Sequence, residues 1–146
     1  MLLVRTYLAP SSIHGIGLFA AEPIPAGSLV WAFDKTIDRV ISDEEYKALL
    51  PIGQDFVWRY HFQEEDGTRI MCGDDARFMN HSDHPNLKDD PIGPTTAARD
   101  IAIGEELTCN YTNFDSAWMD KFMPGYTTHD CGAVCARGRA CPKCGG

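Results

Sequence analysis

Two short segments limit what this chain can fold into more than the rest of it does. Arg77-Phe78-Met79-Asn80-His81-Ser82 carries an adjacent Asn–His pair, and Gly104-Glu105-Glu106-Leu107-Thr108-Cys109-Asn110-Tyr111 carries a lone Tyr after a Gly-Glu-Glu turn. Taken singly, an Asn–His pair usually satisfies loop backbone, and a Tyr closing a strand is usually core. At 146 residues the chain makes one domain, long enough for a real core and too short for two. Both segments therefore belong to one small body.

Turn signals divide that body into short pieces. Leu2 to Tyr7 alternates as a first strand, Leu18 to Ala21 reads as a second, and Ser28 to Phe33 follows the turn Pro23-Ile24-Pro25-Ala26-Gly27. Ser42 and Glu45 have capping-box spacing, which predicts a short helix ending at Pro51. Val57 to Phe62 and Thr68 to Cys72 read as a hairpin around Glu64-Glu65-Asp66-Gly67. Ser82 to Pro94 reads as loop, Thr95 to Arg99 and Leu107 to Asn110 as strands, and Ser116 to Phe122 as a short helix. Many short strands with little helix predict a mainly β domain.

The acid excess, a formal net charge of −8, argues against a nucleic-acid backbone as main ligand and suits a basic partner. No run of eighteen apolar residues is present, so no membrane span is expected. Met1-Leu2-Leu3-Val4-Arg5 is too short an apolar stretch for a signal peptide, which predicts an intracellular, cytoplasmic protein.

Together with Gly15-Ile16-Gly17-Leu18-Phe19-Ala20, the two segments resemble the SET-domain protein-lysine methyltransferases. Three separated motifs occur in the family's order, and the likeness runs from about Arg5 to Cys144. The resemblance implies a SET-domain β-clip with a C-terminal pseudoknot and few short helices. In that fold the pseudoknot brings the Asn–His motif beside the catalytic Tyr. It further implies residues 1–123 as SET domain and 124–146 as a cysteine-rich post-SET segment.

The implied donor is S-adenosylmethionine, against Gly15, Ile16 and Gly17, whose backbone a ligand can approach closely. Asn80 and His81 match the residues that hold the donor, and each offers a hydrogen-bond donor and acceptor in fixed geometry. Tyr111 matches the catalytic Tyr and also borders the donor. Its phenol, with an ordinary pKa near ~10, is a poor base at neutral pH and is assigned positioning and electrostatics. The implied partner is a lysine-containing basic protein or peptide. Trp118 or Phe122 is expected to stack on adenine. Where part of the family has an aromatic that limits methylation, this chain has the small Cys109, which predicts di- or trimethylation.

Cys131, Cys135, Cys141 and Cys144 fall within the last sixteen residues with spacing C-x3-C-x5-C-x2-C. Four thiolates so close suit tetrahedral zinc, and binding would fold a tail too short for its own core. The family's usual cage borrows a Cys where this chain has Asp83, so either the four form a self-contained site or that cage is not formed. Other functions stay open: a silent SET-type module that binds basic peptides, or a zinc-dependent nucleic-acid binder using Arg137, Arg139 and Lys143. Oligomeric state is not fixed by any of these features.

Overall fold

The computed structural model describes residues 1–90 and 93–122, together with the backbone of Tyr126–Thr128 and Val134–Ala136. Strands dominate, as expected, with few short helices. Strand β1 (Thr6–Pro10) pairs antiparallel with β2 (Ile16–Ala20), Thr6 opposite Ala20 and Pro10 opposite Ile16. The turn between them uses Gly15 at φ +50°, a left-handed conformation that glycine adopts without strain. The expected strand over Leu2 to Tyr7 is displaced: Leu2 makes only a single bridge to Trp31.

Strand β3 (Leu29–Trp31) and β4 (Arg39–Ile41) follow, then helix α1 (Asp43–Ala48). The capping box is present: Glu45 N donates to Ser42 Oγ and Ser42 N to the Glu45 carboxylate. Pro51 does not merely end this helix. It opens the next, α2 (Pro51–Tyr60), because proline's fixed φ and missing N–H suit the first helical position. Residues Val57–Tyr60, expected as strand, are the last turn of α2.

The hairpin starts only at β5 (His61–Gln63) and returns as β6 (Arg69–Met71), with β4 on the far side of β6. Strand β7 (Asn80–His81) follows a 3₁₀ turn at Asp75–Phe78. A short β8 (Leu87–Lys88) lies inside the segment expected as loop and pairs with β9 (Thr95–Ala97), which in turn pairs with β3. Strand β10 (Thr108–Cys109) runs parallel to β7. Helix α3 (Trp118–Phe122) precedes the hairpin β11 (Tyr126–Thr128) and β12 (Val134–Ala136).

The core is a wedge between these small sheets. Leu18, Ile24, Val30, Leu87, Ile101 and Leu107 are its largest fully buried side chains, drawn from β2, β3, β8 and the segments around Ile24, Ile101 and Leu107. Burying a Leu, Ile or Val contributes roughly 1.5–3 kcal/mol, so these six hold together strands too short to be stable alone. No described helix is long and apolar enough to cross a membrane.

Candidate active site

The parallel pairing of β7 with β10 builds the site. Thr108 lies opposite Asn80 and Cys109 opposite His81, and Ser82 N donates to Cys109 O at 2.9 Å. Parallel strands cannot be joined by a tight turn, so the whole of 82–107 must cross over before the chain returns. That return places Tyr111 against the Asn–His motif. Its backbone N–H donates to His81 Nδ1 at 3.1 Å, and its hydroxyl donates to Met79 O at 2.5 Å. With the Tyr111 N–H donating to it, His81 Nδ1 is an acceptor, so the proton of the neutral ring sits on Nε2, which lies 3.3 Å from Asp83.

On the other side of β7, Asn80 ties in the glycine turn. Its buried Nδ2 lies 3.1 Å from His14 O, 3.3 Å from Ile16 O and 2.8 Å from Glu106 Oε1. No described residue donates to its Oδ1. Glu106 also accepts from Ser11 Oγ at 2.8 and 2.9 Å, closing the turn from beneath. Gly17 is required here: a Cβ would lie 2.2 Å from Glu106 Oε1 and 2.7 Å from its Cδ. Gly15 is instead open, with nothing within 4 Å of a Cβ, and the Ile16 side chain is half exposed. Gly15 and Ile16 thus lie at the surface above the buried Asn80, while Gly17 supplies close packing under them.

Asn86 and Glu105 brace the return. Asn86 Oδ1 accepts from Thr108 N at 2.9 Å, and its Nδ2 donates to Glu106 O at 2.8 Å and to Glu105 Oε1 at 3.0 Å. The Arg99 guanidinium, paired with Glu105, holds that carboxyl down at about 2. In the sequence Glu105 and Glu106 stand only as part of the Gly-Glu-Glu turn. A carboxylate's partners are set by the tertiary fold, and the spacing Gly-Glu-Glu was the only signal available.

A cavity of about 180 Å³ opens beside Tyr111. Its walls are mostly apolar, with Trp31, Phe62, Met79, Cys109 and Phe114 among them, and acids including Asp89 also line it. Burial drives the Tyr111 phenol above its ordinary range, reinforced by the neighbouring Cys109, Asp115 and Glu106. Burial likewise lifts the Cys109 thiol well up and pushes Cys72 up to about 12, so neither is a nucleophile. Trp118 stacks on His81 at 6.0 Å and 16°, and Phe122 leans on Tyr111 at 5.4 Å. The two candidates for stacking on adenine therefore flank the His81–Tyr111 pair. Trp58 packs elsewhere, under the Lys121 ammonium at 5.7 Å.

Lys121 and Asp115 form a buried ion pair at 2.9 Å that sequence reasoning missed. Desolvation pulls the Lys121 pKa down, opposed by Asp115. The expected metal ligands Cys131, Cys135, Cys141 and Cys144 lie outside the described residues, except that the backbone of Cys135 pairs with Thr127 in the β11–β12 hairpin. Among the described residues, no cluster of three or more His, Cys, Asp or Glu is placed to hold a metal.

The SET domain family matches residues 15–112. Histone-lysine N-methyltransferase SETD1 of Drosophila melanogaster is 34% identical over 115 residues, which is 70% of this chain and 7% of that protein. Histone-lysine N-methyltransferase set1 of Dictyostelium discoideum is 38% identical over 112 residues, 69% of this chain and 7% of its own length. The chain thus spans less than a tenth of either relative. Among solved structures, ctPRC2 in an autoinhibited conformation bound to S-adenosylmethionine superposes with TM-score 0.57 at 26% identity, covering 76% of this chain and 16% of that one. A humanized mutant of the Chaetomium thermophilum Polycomb Repressive Complex 2, bound to an inhibitor, gives TM-score 0.56 at 27% identity over 76% of this chain and 15% of that one.

Proposed function

Because the chain belongs to the SET-domain family, we propose that it transfers methyl groups from S-adenosylmethionine to the side-chain amine of a lysine in a basic protein, by in-line displacement in a narrow channel. The observation that carries this is the β7–β10 pairing, which sets Asn80, His81 and Tyr111 between the open glycine turn and the apolar cavity. One side of that junction suits the donor and the other a lysine stem. The relatives' names make a histone-type protein the first substrate class to try, and move the expected place of action from cytoplasm toward chromatin.

S-adenosylmethionine, when bound, supplies the electrophilic methyl of its sulfonium. The residues fit such a donor. Gly15 leaves open space where a Cβ would stand, Asn80 Oδ1 is an acceptor with no described residue donating to it, and the Trp118 ring lies parallel to His81 beside them. Asn80 contributes first by fixing the turn, since its amide nitrogen is already spent on the chain's own oxygens.

A free lysine has a pKa of about 10.4, so roughly one in two thousand is neutral at pH 7. An apolar channel disfavours the ammonium and lowers that value. The Tyr111 hydroxyl, held by Met79 O and kept protonated by burial, orients the amine, and its ring gives the channel a negative face. Alignment is the larger task, and a misplaced group can cost on the order of 10²-fold.

Four thiols at this sequence spacing are a soft donor set of the kind that suits zinc, and we assign 124–146 to that segment and 1–123 to the SET domain. Zinc there would hold the tail's fold and take no part in transfer.

Titration calorimetry with S-adenosylmethionine, with Asn80→Ala as control, tests the donor site: saturable binding lost in the variant is expected. Methyl transfer to core histones should then fall by about 10²-fold in Tyr111→Phe with donor affinity kept. A folded protein that binds no donor would be a silent module instead.

A further inference from the structure

Four buried side-chain polar atoms among the described residues have no hydrogen-bond partner, and three belong to residues that line the cavity beside Tyr111: Trp31 Nε1, His61 Nε2 and Asp89 Oδ2. Buried polar atoms are almost always paired, so three on one cavity call for a polar ligand group. His61 Nδ1 lies 2.8 Å from Val57 O and so donates to it, which leaves Nε2 as a lone-pair acceptor. Burial lowers the pKa of that ring and keeps it neutral. Two of the three orphaned atoms are therefore acceptors, and one of those belongs to a carboxylate.

Asp89 directly follows β8 and reaches toward β10. Thr95 Oγ1 donates to its Oδ1 at 3.2 Å, which fixes the carboxylate plane, while Oδ2 is buried. Burial pushes this carboxyl above its usual range, against the Thr95 hydroxyl, the Asn110 amide and the Cys109 thiol, which favour its charge. Cys109 and Tyr111 are two residues apart and line the same cavity as Asp89. Cys109 is buried and so is Asp89 Oδ2, so bulk water does not reach the carboxylate oxygen on that wall.

Resting on the methyltransferase function above, we propose that Asp89 Oδ2 is the subsite for the substrate amine, accepting an Nζ–H bond while the lysine stem lies among Trp31, Phe62 and Phe114. The ligand class is a primary alkylammonium. A solvated ion pair would hold the amine in its unreactive charged form, but a wall that already resists the carboxylate's charge changes that balance. There the proton can pass within the pair: the Nζ–H bond breaks, an Oδ2–H bond forms, and the electron pair stays on nitrogen. Atoms and charge balance without another reactant.

The test uses n-butylammonium chloride and n-butanol as lysine-stem probes, titrated into the full-length ¹⁵N-labelled protein and followed by NMR. Wild type should bind n-butylammonium at least about tenfold more tightly than n-butanol, with shifts at the Asp89, Cys109 and Tyr111 amides, about 1.4 kcal/mol of discrimination. Asp89→Asn should lose that preference with its remaining spectrum unchanged, and Asp89→Glu should keep it in part. Equal affinity for the two probes in wild type overturns the subsite, and so does an Asp89→Asn protein that keeps the preference. Should Asp89→Asn fail to fold, the wild-type probe comparison still decides. Donor and transfer do not enter this experiment. A wild type that binds the ammonium yet never methylates core histones would sink the enzymatic function alone. Turnover with an Asp89→Asn KM equal to wild type would sink the subsite alone.

Discussion

At the scale of single residues, the two glycines of the turn do different work, and substitution separates them. Gly15→Ala meets no atom and only strains a left-handed backbone, a cost of roughly 1–2 kcal/mol. Gly17→Ala drives a methyl into the Glu106 carboxylate, which Ser11 and Asn80 hold in place. We expect Gly17→Ala to weaken S-adenosylmethionine binding by more than about tenfold, or ~1.4 kcal/mol, beyond the effect of Gly15→Ala, measured by calorimetry. Equal losses would mean that Glu106 yields freely. Cys109 makes a second prediction. Its small side chain leaves the cavity beside Tyr111 wide, so wild type should produce di- or trimethyl-lysine, and Cys109→Phe should shift the product toward monomethyl. Intact-mass spectrometry reads this directly, and strictly monomethylated wild-type product would sink it. Asn80, His81 and Tyr111 stand out as candidates only through the resemblance of their motifs to a family, since singly they read as loop and core. Glu106, Asp89 and Lys121 do not stand out, since a charged residue in a sequence looks alike whether solvated or buried.

At the scale of elements, the same limit shows in α2 and α3. The capping box of α1 was legible because Ser42 and Glu45 close it locally, within three positions. Pro51 was ambiguous: it stops one helix and starts another equally well, and only packing of Val57 decides. The C-terminal helix is held by partners far away in sequence. Lys121 donates to Asp115 and to His61 O, while Asp115 accepts from Gln63 N at 3.0 Å and Ala117 N at 3.1 Å. The pair thereby ties α3 to the hairpin β5–β6, and Phe122 to the Tyr111 wall. Lys121→Met should destabilise the domain by about 3–5 kcal/mol, because Asp115 is then left charged and buried without its partner. Urea unfolding measures this. The double variant Lys121→Met/Asp115→Asn should recover part of the loss, whereas a single-variant cost below ~1 kcal/mol would show that water replaces the lysine.

At the scale of the whole molecule, the mainly β class followed from the spacing of turns, but the parallel pairing of β7 with β10 did not. No periodicity encodes which two-residue strands meet across a 26-residue crossover, so that juxtaposition was accessible only through resemblance to a family. Charge is the other property of the molecule as a whole. With 21 acidic and 13 basic residues, the protein's field attracts a lysine-rich segment before any contact forms. Steering acts on encounter, whereas the proposed transfer step lies in the mostly apolar cavity beside Tyr111, where mobile ions screen less than at the surface. Raising ionic strength from about 0.1 M to 1 M shortens the screening length from ~10 Å to ~3 Å. For a basic histone-tail peptide, kcat/KM should therefore fall by about tenfold or more across that range, while kcat stays constant. A neutral peptide carrying one lysine should show almost no salt dependence in either parameter. If kcat fell in parallel, salt would be acting on the folded site itself, and the acid excess would serve solubility rather than capture of the substrate.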